Sequence, residues 1–268
     1  MLKYESIAKE EIMNKTSKKG VYEKFFKRFF DILLSLLALV VLSPFLLIIV
    51  IILKITLKKD IIIKQYRPGK NGKIFKLYKF RSMTNAVDEN GKLLEDSKRV
   101  TKFGRFMRKT GIDELPQLVN IIKGDMSIVG PRARLIKDMI FFDDNTLKAY
   151  GVRPGLTGLG QVSGGRSTAS WEEIFELDKK YSDNITLWND IKIIFKTVGV
   201  VLGFKSDAGC AGESKREYYY SDYLLHKGDI TEEEYNKGLK RAEEIIENKE
   251  DVVKNTAEYE RLDDEDED

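Results

Sequence analysis

The sequence predicts an α+β, mainly helical fold: a monotopic membrane protein with a re-entrant N-terminal helix and a small cytoplasmic domain containing one β-hairpin. Three observations predict it. Ile32–Leu53 reads ILLSLLALVVLSPFLLIIVIIL, 22 residues without a charge. Basic residues crowd both flanks of that run. Downstream, two short β-rich stretches stand beside several segments of helical periodicity.

Residues 1–24 are polar and show no small-residue cleavage site behind an early apolar core, so they do not read as a secretory signal. The membrane element is expected over 25–58. As a helix, its apolar run would be about 33 Å long, enough to cross a bilayer. Two features oppose a plain span. Ser43-Pro44 lies at the middle of the run, where proline removes a backbone donor and clashes with the preceding turn, so a helix broken there is expected. Lys24, Lys27 and Arg28 precede the run and Lys54, Lys58, Lys59, Lys64 and Arg67 follow it. Positive charge marks the cytoplasmic side, which favours a hairpin entering and leaving there. A transmembrane span is the competing reading, because proline also occurs in ordinary spans.

Ile61-Ile62-Ile63 and Ile74–Phe80 are expected to pair around the Pro68-Gly69-Lys70-Asn71-Gly72 turn. Helices are expected from about Lys98 to Lys109, from Pro116 onward, and over 171–182 and 188–204. In the last, Ile191, Ile194, Phe195, Val198, Val201 and Leu202 recur at helical spacing, a stripe suited either to the core or to the membrane interface. The glycine-rich stretch 151–166 reads as loop. DITEEEYNKGLKRAEEIIENK predicts a short amphipathic helix started by a Thr231 cap with Glu234 three residues on, and LDDEDED a solvated, disordered tail.

The formal charge of +3 hides an asymmetry: residues 226–268 hold 17 acids against 7 bases, a net of −10, leaving +13 on residues 1–225. That surplus points to anionic partners, whether acidic lipid, phosphorylated substrate or nucleic acid. One cysteine, Cys210, excludes a disulfide framework and a thiolate metal cluster. One histidine, His226, sits at the edge of the acidic tail, which argues against imidazole catalysis or a His-ligated metal. Chemistry must then use carboxylates, hydroxyls, Lys and Arg. Asp113-Glu114 is the most suggestive pair. Adjacent acids usually do no more than begin a solvated helix, but here Lys102, Arg105, Arg108 and Lys109 precede them and Arg132 and Arg134 follow. Pro116 also places the pair just before a helix N-terminus, whose positive end would keep both carboxylates ionised and attract an anion. An ionised carboxylate can attack phosphorus without a general base.

KRFFDILLSLLALVVLSP, QYRPGKNGKIFKLYKFRSM, TKFGRFMRKTGIDELPQLVNIIKGDMSIVGPR and VRPGLTGLGQVSGGR, in that order from about Phe25 to Leu202, closely resemble blocks of the bacterial sugar transferases. The resemblance is to the small monotopic phosphoglycosyl transferases that act on polyprenyl phosphate. It implies an enzyme of the bacterial cytoplasmic (inner) membrane, with its catalytic domain facing the cytoplasm. Such an enzyme moves a phosphosugar from a UDP-sugar to undecaprenyl phosphate, releases UMP and opens synthesis of a surface glycan such as exopolysaccharide or capsule. The resemblance also implies the re-entrant helix bent at Ser43-Pro44. By motif, Asp113 would be the nucleophile of a covalent, ping-pong mechanism. Glu114 would be a ligand of Mg²⁺, with Mn²⁺ able to substitute. Lys79, Arg81, Arg108, Arg132 and Arg153 match basic positions expected at the substrate phosphates; Lys79 and Arg81 read also as contacts to lipid head groups. Gln117 and Asp125 match positions that support the site or the fold. A carboxylate approaching a diphosphate meets like charge, which is why fixed cations and a hard metal ion are needed.

The organisation expected is a polar segment over 1–24, the membrane helix over 25–58, the transferase domain over 59–205 and an extension over 206–268. DITEEEYNKGLKRAEEI is similar to a short helical module found on many bacterial proteins and suggests self-association or a partner such as a downstream glycosyltransferase. The chain departs from the family pattern at Ala133, where Gly-Pro-Arg-Pro is usual, at Gly160, and at Gly164-Gly165, which carries an extra glycine. A non-catalytic polybasic membrane adaptor would explain the charges equally well, but not the DELPQ, GPR and RPG blocks. A nucleic-acid partner is not expected: the basic surplus is its sole support, and the apolar segment argues against it.

Overall fold

The computed structural model describes residues 20–57, 60–89, 91, 93–163, 169–201 and 219–248. Leu202, Cys210, Gly164-Gly165 and the acidic tail fall outside them. A π-helical stretch, Tyr22–Phe26, leads into the long helix α1 (Lys27–Leu57). Helical backbone continues through Pro44, so the expected break at Ser43-Pro44 is not an interruption of the helix. The reason is local. Proline leaves the carbonyl four residues back without its donor, and the Ser43 hydroxyl donates to that carbonyl, Val40 O, at 2.8 Å.

β1 (Ile62–Pro68) and β2 (Ile74–Phe80) form the expected antiparallel hairpin, in register from Ile62 opposite Phe80 to Pro68 opposite Ile74. The helix expected from Lys98 is divided into α2 (Asp96–Arg99) and α3 (Lys102–Thr110). Between them Thr101 is extended, and its hydroxyl accepts the Gly104 N–H as an N-cap. A 3-10 turn, Ile112–Glu114, and α4 (Gln117–Lys123) follow. β3 (Ser127–Val129), α5 (Ile136–Met139) and α6 (Asp144–Ala149) come next.

The glycine-rich stretch is not all loop: it supplies β4 (Gly155–Thr157), parallel to β3, and α7 (Leu159–Val162). A Cβ on Gly155 would lie 2.1 Å from Gly130 N, so only glycine lets the two strand ends meet. α8 (Trp171–Asp183), α9 (Leu187–Val201), α10 (Tyr220–Lys227) and α11 (Glu232–Glu247) complete the described chain. The Thr231–Glu234 capping box is present at the start of α11.

α1 lies along the domain rather than projecting from it. Toward its start, Lys27, Asp31 and Ser35 are buried, and Ala38 and Leu39 pack on the cluster of Phe75, Leu77, Leu118, Ile121 and Met126. Toward its end, Ile49 and Leu53 join Phe80 and Met107, with Ile112 against them. These positions recur every three or four residues, the stripe of one helix face. The opposite face, including Leu33, Leu37, Val41, Phe45, Ile48 and Ile55, is exposed and apolar. Polar bonds fix the start. Lys27 Nζ meets Asp190 Oδ2 at 2.6 Å, Asp31 Oδ1 accepts from Ser127 Oγ and Ile128 N at 3.0 Å each, and the Arg28 guanidinium donates to the Ile121 and Ile122 carbonyls. Lys27 and Arg28, which mark charge polarity in the sequence, therefore also bind the domain.

The α9 stripe turns largely outward. Phe195 is 72% exposed, and Val198 and Val201 are exposed beside Trp188, while Asp190 and Ile193 face inward. At the other side, Tyr220 packs edge-to-face among Phe142, Trp171 and Phe175, and Ala242 and Ile246 of α11 pack with Tyr66 and Ile136. The helices of the extension thus share the core of the domain.

Candidate active site

The hairpin, the turn after α3 and the loop after β3 bring four of the expected residues together. α3 ends at Gly111, whose φ of 72° lies in the left-handed region that glycine adopts without strain. The chain then turns at once into Ile112–Glu114. Ile112 belongs to the apolar cluster around the later half of α1, while Leu115 and Leu118 belong to the one that takes Ala38 and Leu39. The segment carrying both carboxylates is thus wedged along the long apolar helix.

Asp113 is 2% exposed, and its Oδ2 meets Lys79 Nζ from β2 at 2.8 Å. Glu114 Oε1 meets Arg132 Nη2 at 2.7 Å. Burial pushes the Lys79 ammonium below the usual lysine range, while Glu114 and Asp113 oppose that and hold charge on it. Two cations and two anions make a cluster that is neutral as a whole.

The other expected residues divide. Arg81, the residue after β2, donates to Asn85 Oδ1 at 2.9 Å, and its Nε is a buried donor without an acceptor among the described residues. Arg108 does not point at the carboxylates: its Nε donates to Ser82 Oγ at 2.8 Å and its Nη2 contacts Met83 Sδ, bracing the chain that leaves β2. Gln117 is buried at the first position of α4. Asp125 accepts from Asn120 Nδ2 at 3.2 Å. Arg153 lies elsewhere, its Nε donating to Gly124 O at 2.9 Å. Arg134, expected near the pair from sequence spacing, instead binds Asp178 at 3.3 Å and stacks over the Trp171 ring.

One residue that sequence reasoning missed organises the site. Asn120, fully buried, accepts from Tyr78 N at 3.0 Å and donates to Lys76 O at 2.7 Å. It thereby acts as a strand partner to β2 and ties the element bearing Lys79 to the helix that follows Asp113. The signal was a polar residue on the apolar face of QLVNIIK. Gly160 is also accounted for, since a Cβ there would come within 3.0 Å of Asp178 Oδ1.

The bacterial sugar transferase family model matches residues 22–204, a span that holds the long helix, the hairpin and all four clustered side chains. The chain belongs to that family. This sugar transferase is 43% identical over 176 residues to the uncharacterized sugar transferase EpsL of Bacillus subtilis, covering 66% of this chain and 87% of EpsL. It is 40% identical over 209 residues to the undecaprenyl-phosphate galactose phosphotransferase of Salmonella typhimurium, covering 71% of this chain and 43% of that protein. It is also 40% identical over 183 residues to the UDP-glucose:undecaprenyl-phosphate glucose-1-phosphate transferase of Klebsiella pneumoniae, covering 65% and 39% respectively. The sugar transferase thus spans most of EpsL but about two fifths of the two relatives with named activities.

The two carboxylates suit a hard cation. A magnesium ion is commonly held by one or two carboxylates with substrate phosphates and water completing the shell. Among the described residues no group of three or more His, Cys, Asp and Glu that could hold a metal ion comes together.

Proposed function

We propose that this sugar transferase moves a phosphosugar from a UDP-sugar to undecaprenyl phosphate at the membrane surface, through a covalent intermediate on Asp113. The observation that carries the reading is the buried Lys79–Asp113 pair beside Glu114–Arg132, on a segment packed along the apolar helix. In the first half-reaction an Asp113 oxygen bonds to the sugar-bearing phosphorus as the bond to UMP breaks, and UMP leaves with the electron pair. In the second, an oxygen of undecaprenyl phosphate bonds to the same phosphorus and the aspartyl–phosphorus bond breaks, restoring the carboxylate.

Lys79 orients the attacking oxygen. Arg132, beside Glu114, is the guanidinium group that would meet the phosphate oxygens. Because the four-residue cluster is neutral, a diphosphate entering it would lack compensation. Glu114 and the substrate phosphates would hold Mg²⁺, which would supply the positive charge that the fixed side chains do not.

Membrane attachment is supported by α1, which is long and apolar enough to cross a bilayer. A helix of 31 residues is about 46 Å long, more than a hydrocarbon core of roughly 30 Å. Both its halves pack on one domain while the opposite apolar face stays exposed, which supports a helix seated at the cytoplasmic face with that side in the lipid. The outward Trp188 and Phe195 of α9, with Lys192 over the Trp188 ring, support a second contact at the interface. The test is a panel of UDP-sugars offered to the solubilised protein with undecaprenyl phosphate and Mg²⁺. One sugar should give UMP and a lipid diphosphate sugar; no UMP with any sugar would refute the reading.

A further inference from the structure

The first turns of α1, β3 and the loop before β4 enclose a cleft of about 350 Å³ whose lining includes none of Lys79, Asp113, Glu114 and Arg132. Five cations, Lys24, Lys27, Arg28, Lys70 and Arg153, line it with two acids, Glu23 and Asp31. Lys27 is matched by Asp190, and Asp31 is turned onto Ser127 and Ile128 N. The two guanidinium groups are different. Arg28 donates to the Ile121 and Ile122 carbonyls and Arg153 Nε to Gly124 O, all neutral acceptors that satisfy geometry and leave the charge. Among the described residues neither forms an ion pair; burial first, and then the Arg153 charge, disfavour the charged form of Arg28, and Asp31 and Asp125 offset only part of this. Like charges held together in a concavity favour an anion between them. The Nη atoms of Arg153 keep the planar fork that fits a phosphate.

What surrounds the cleft decides the kind of anion. Phe25, Phe26 and Phe29, in the same turns as Lys24 and Arg28, are 70%, 52% and 58% exposed, and Leu33 continues this apolar surface. A head group that reaches the guanidinium pair would carry its tail along those rings. We propose that the cleft binds the phosphate head of a membrane lipid, apart from the reacting carboxylates. The inference rests on the membrane attachment argued above. Two lipids share the chemistry: the polyprenyl phosphate acceptor and an anionic phospholipid.

Native mass spectrometry of the full chain in detergent separates them, with short-chain phosphatidylglycerol, undecaprenyl phosphate and inorganic phosphate as probes. The wild type should retain lipid phosphate, and Arg153→Gln should hold it about tenfold more weakly, with Arg153→Lys between them. Lys24→Gln, at an exposed position, should weaken it less and keeps the test open if the Arg153 variants do not fold. Undecaprenyl phosphate displacing phosphatidylglycerol would identify an acceptor subsite; the reverse would identify a phospholipid site. Both support the proposal. Unchanged retention in Lys24→Gln and Arg153→Gln, or inorganic phosphate held as tightly as the lipids, would overturn it. Retention is read without turnover, so a wrong assignment of the reaction would leave this result standing.

Discussion

At Asp113 the fold holds a carboxylate that is almost without solvent yet stays paired to an ammonium. Asp113→Asn keeps the shape and removes the attacking charge. Turnover should fall by roughly 10³-fold or more, with a folded protein by circular dichroism. Wild-type protein given donor without lipid acceptor should gain the mass of one phosphosugar on the peptide containing Asp113. A rate law requiring both substrates before any UMP appears, with no mass gain, would instead make Asp113 electrostatic support for direct attack. Asp138 offers a test away from the site. It accepts from Ser221 N and Oγ, and burial raises its carboxyl above the usual range despite those bonds and Lys137 and Arg134. The folded protein then holds this proton more tightly than the unfolded chain, so its stability rises as pH falls through the raised value and is lowest above it. Asp138→Asn can still accept from Ser221. It should raise Tm at pH 7 and flatten the fall of Tm with rising pH above the ordinary carboxylate range; an unaltered slope would assign the dependence to another group.

Among the elements, α3 and α4 set the site by how closely they approach β2 and the chain leaving it. A Cβ at Gly104 would lie 1.9 Å from Ser82 O, a backbone atom that cannot swing aside. Gly104→Ala should push α3 away from Ser82, break the Arg108 brace and cost at least about 2 kcal/mol in denaturant unfolding. Asn120→Ala would strand Tyr78 N–H and Lys76 O, which predicts a loss of about 2–4 kcal/mol and a lower kcat through misplacement of Lys79. Retained stability and kcat in Asn120→Ala would show that β2 is held by other contacts. These elements were unequally legible. The hairpin, α8 and α11 follow from alternation, apolar periodicity and caps that lie within the element itself. β3 and β4 are three residues each and pair across 28 positions, so no local pattern announces them.

For the whole molecule, the question is which way the apolar helix runs. Cysteines placed near Lys19 and near Lys59 should both be shielded from an impermeant thiol reagent added outside intact cells. Labelling of either would favour a span. The long apolar helix, the hairpin, the carboxylate pair and the family are legible in the residues alone, because each is written contiguously: an apolar run, a turn between strands, DELPQ and the ordered blocks. The sequence could not say that Lys79 meets Asp113, that Arg132 meets Glu114, or that Arg108, Arg134 and Arg153 turn elsewhere. Spacing in the chain gives no direction to a long side chain. Nor could it show that Ser43 fills the place of the donor missing at Pro44, or that Lys27, Arg28 and Asp31 bind the helix to the domain. Those outcomes belong to the tertiary structure, since burial makes each polar group find whichever partner packing brings within reach.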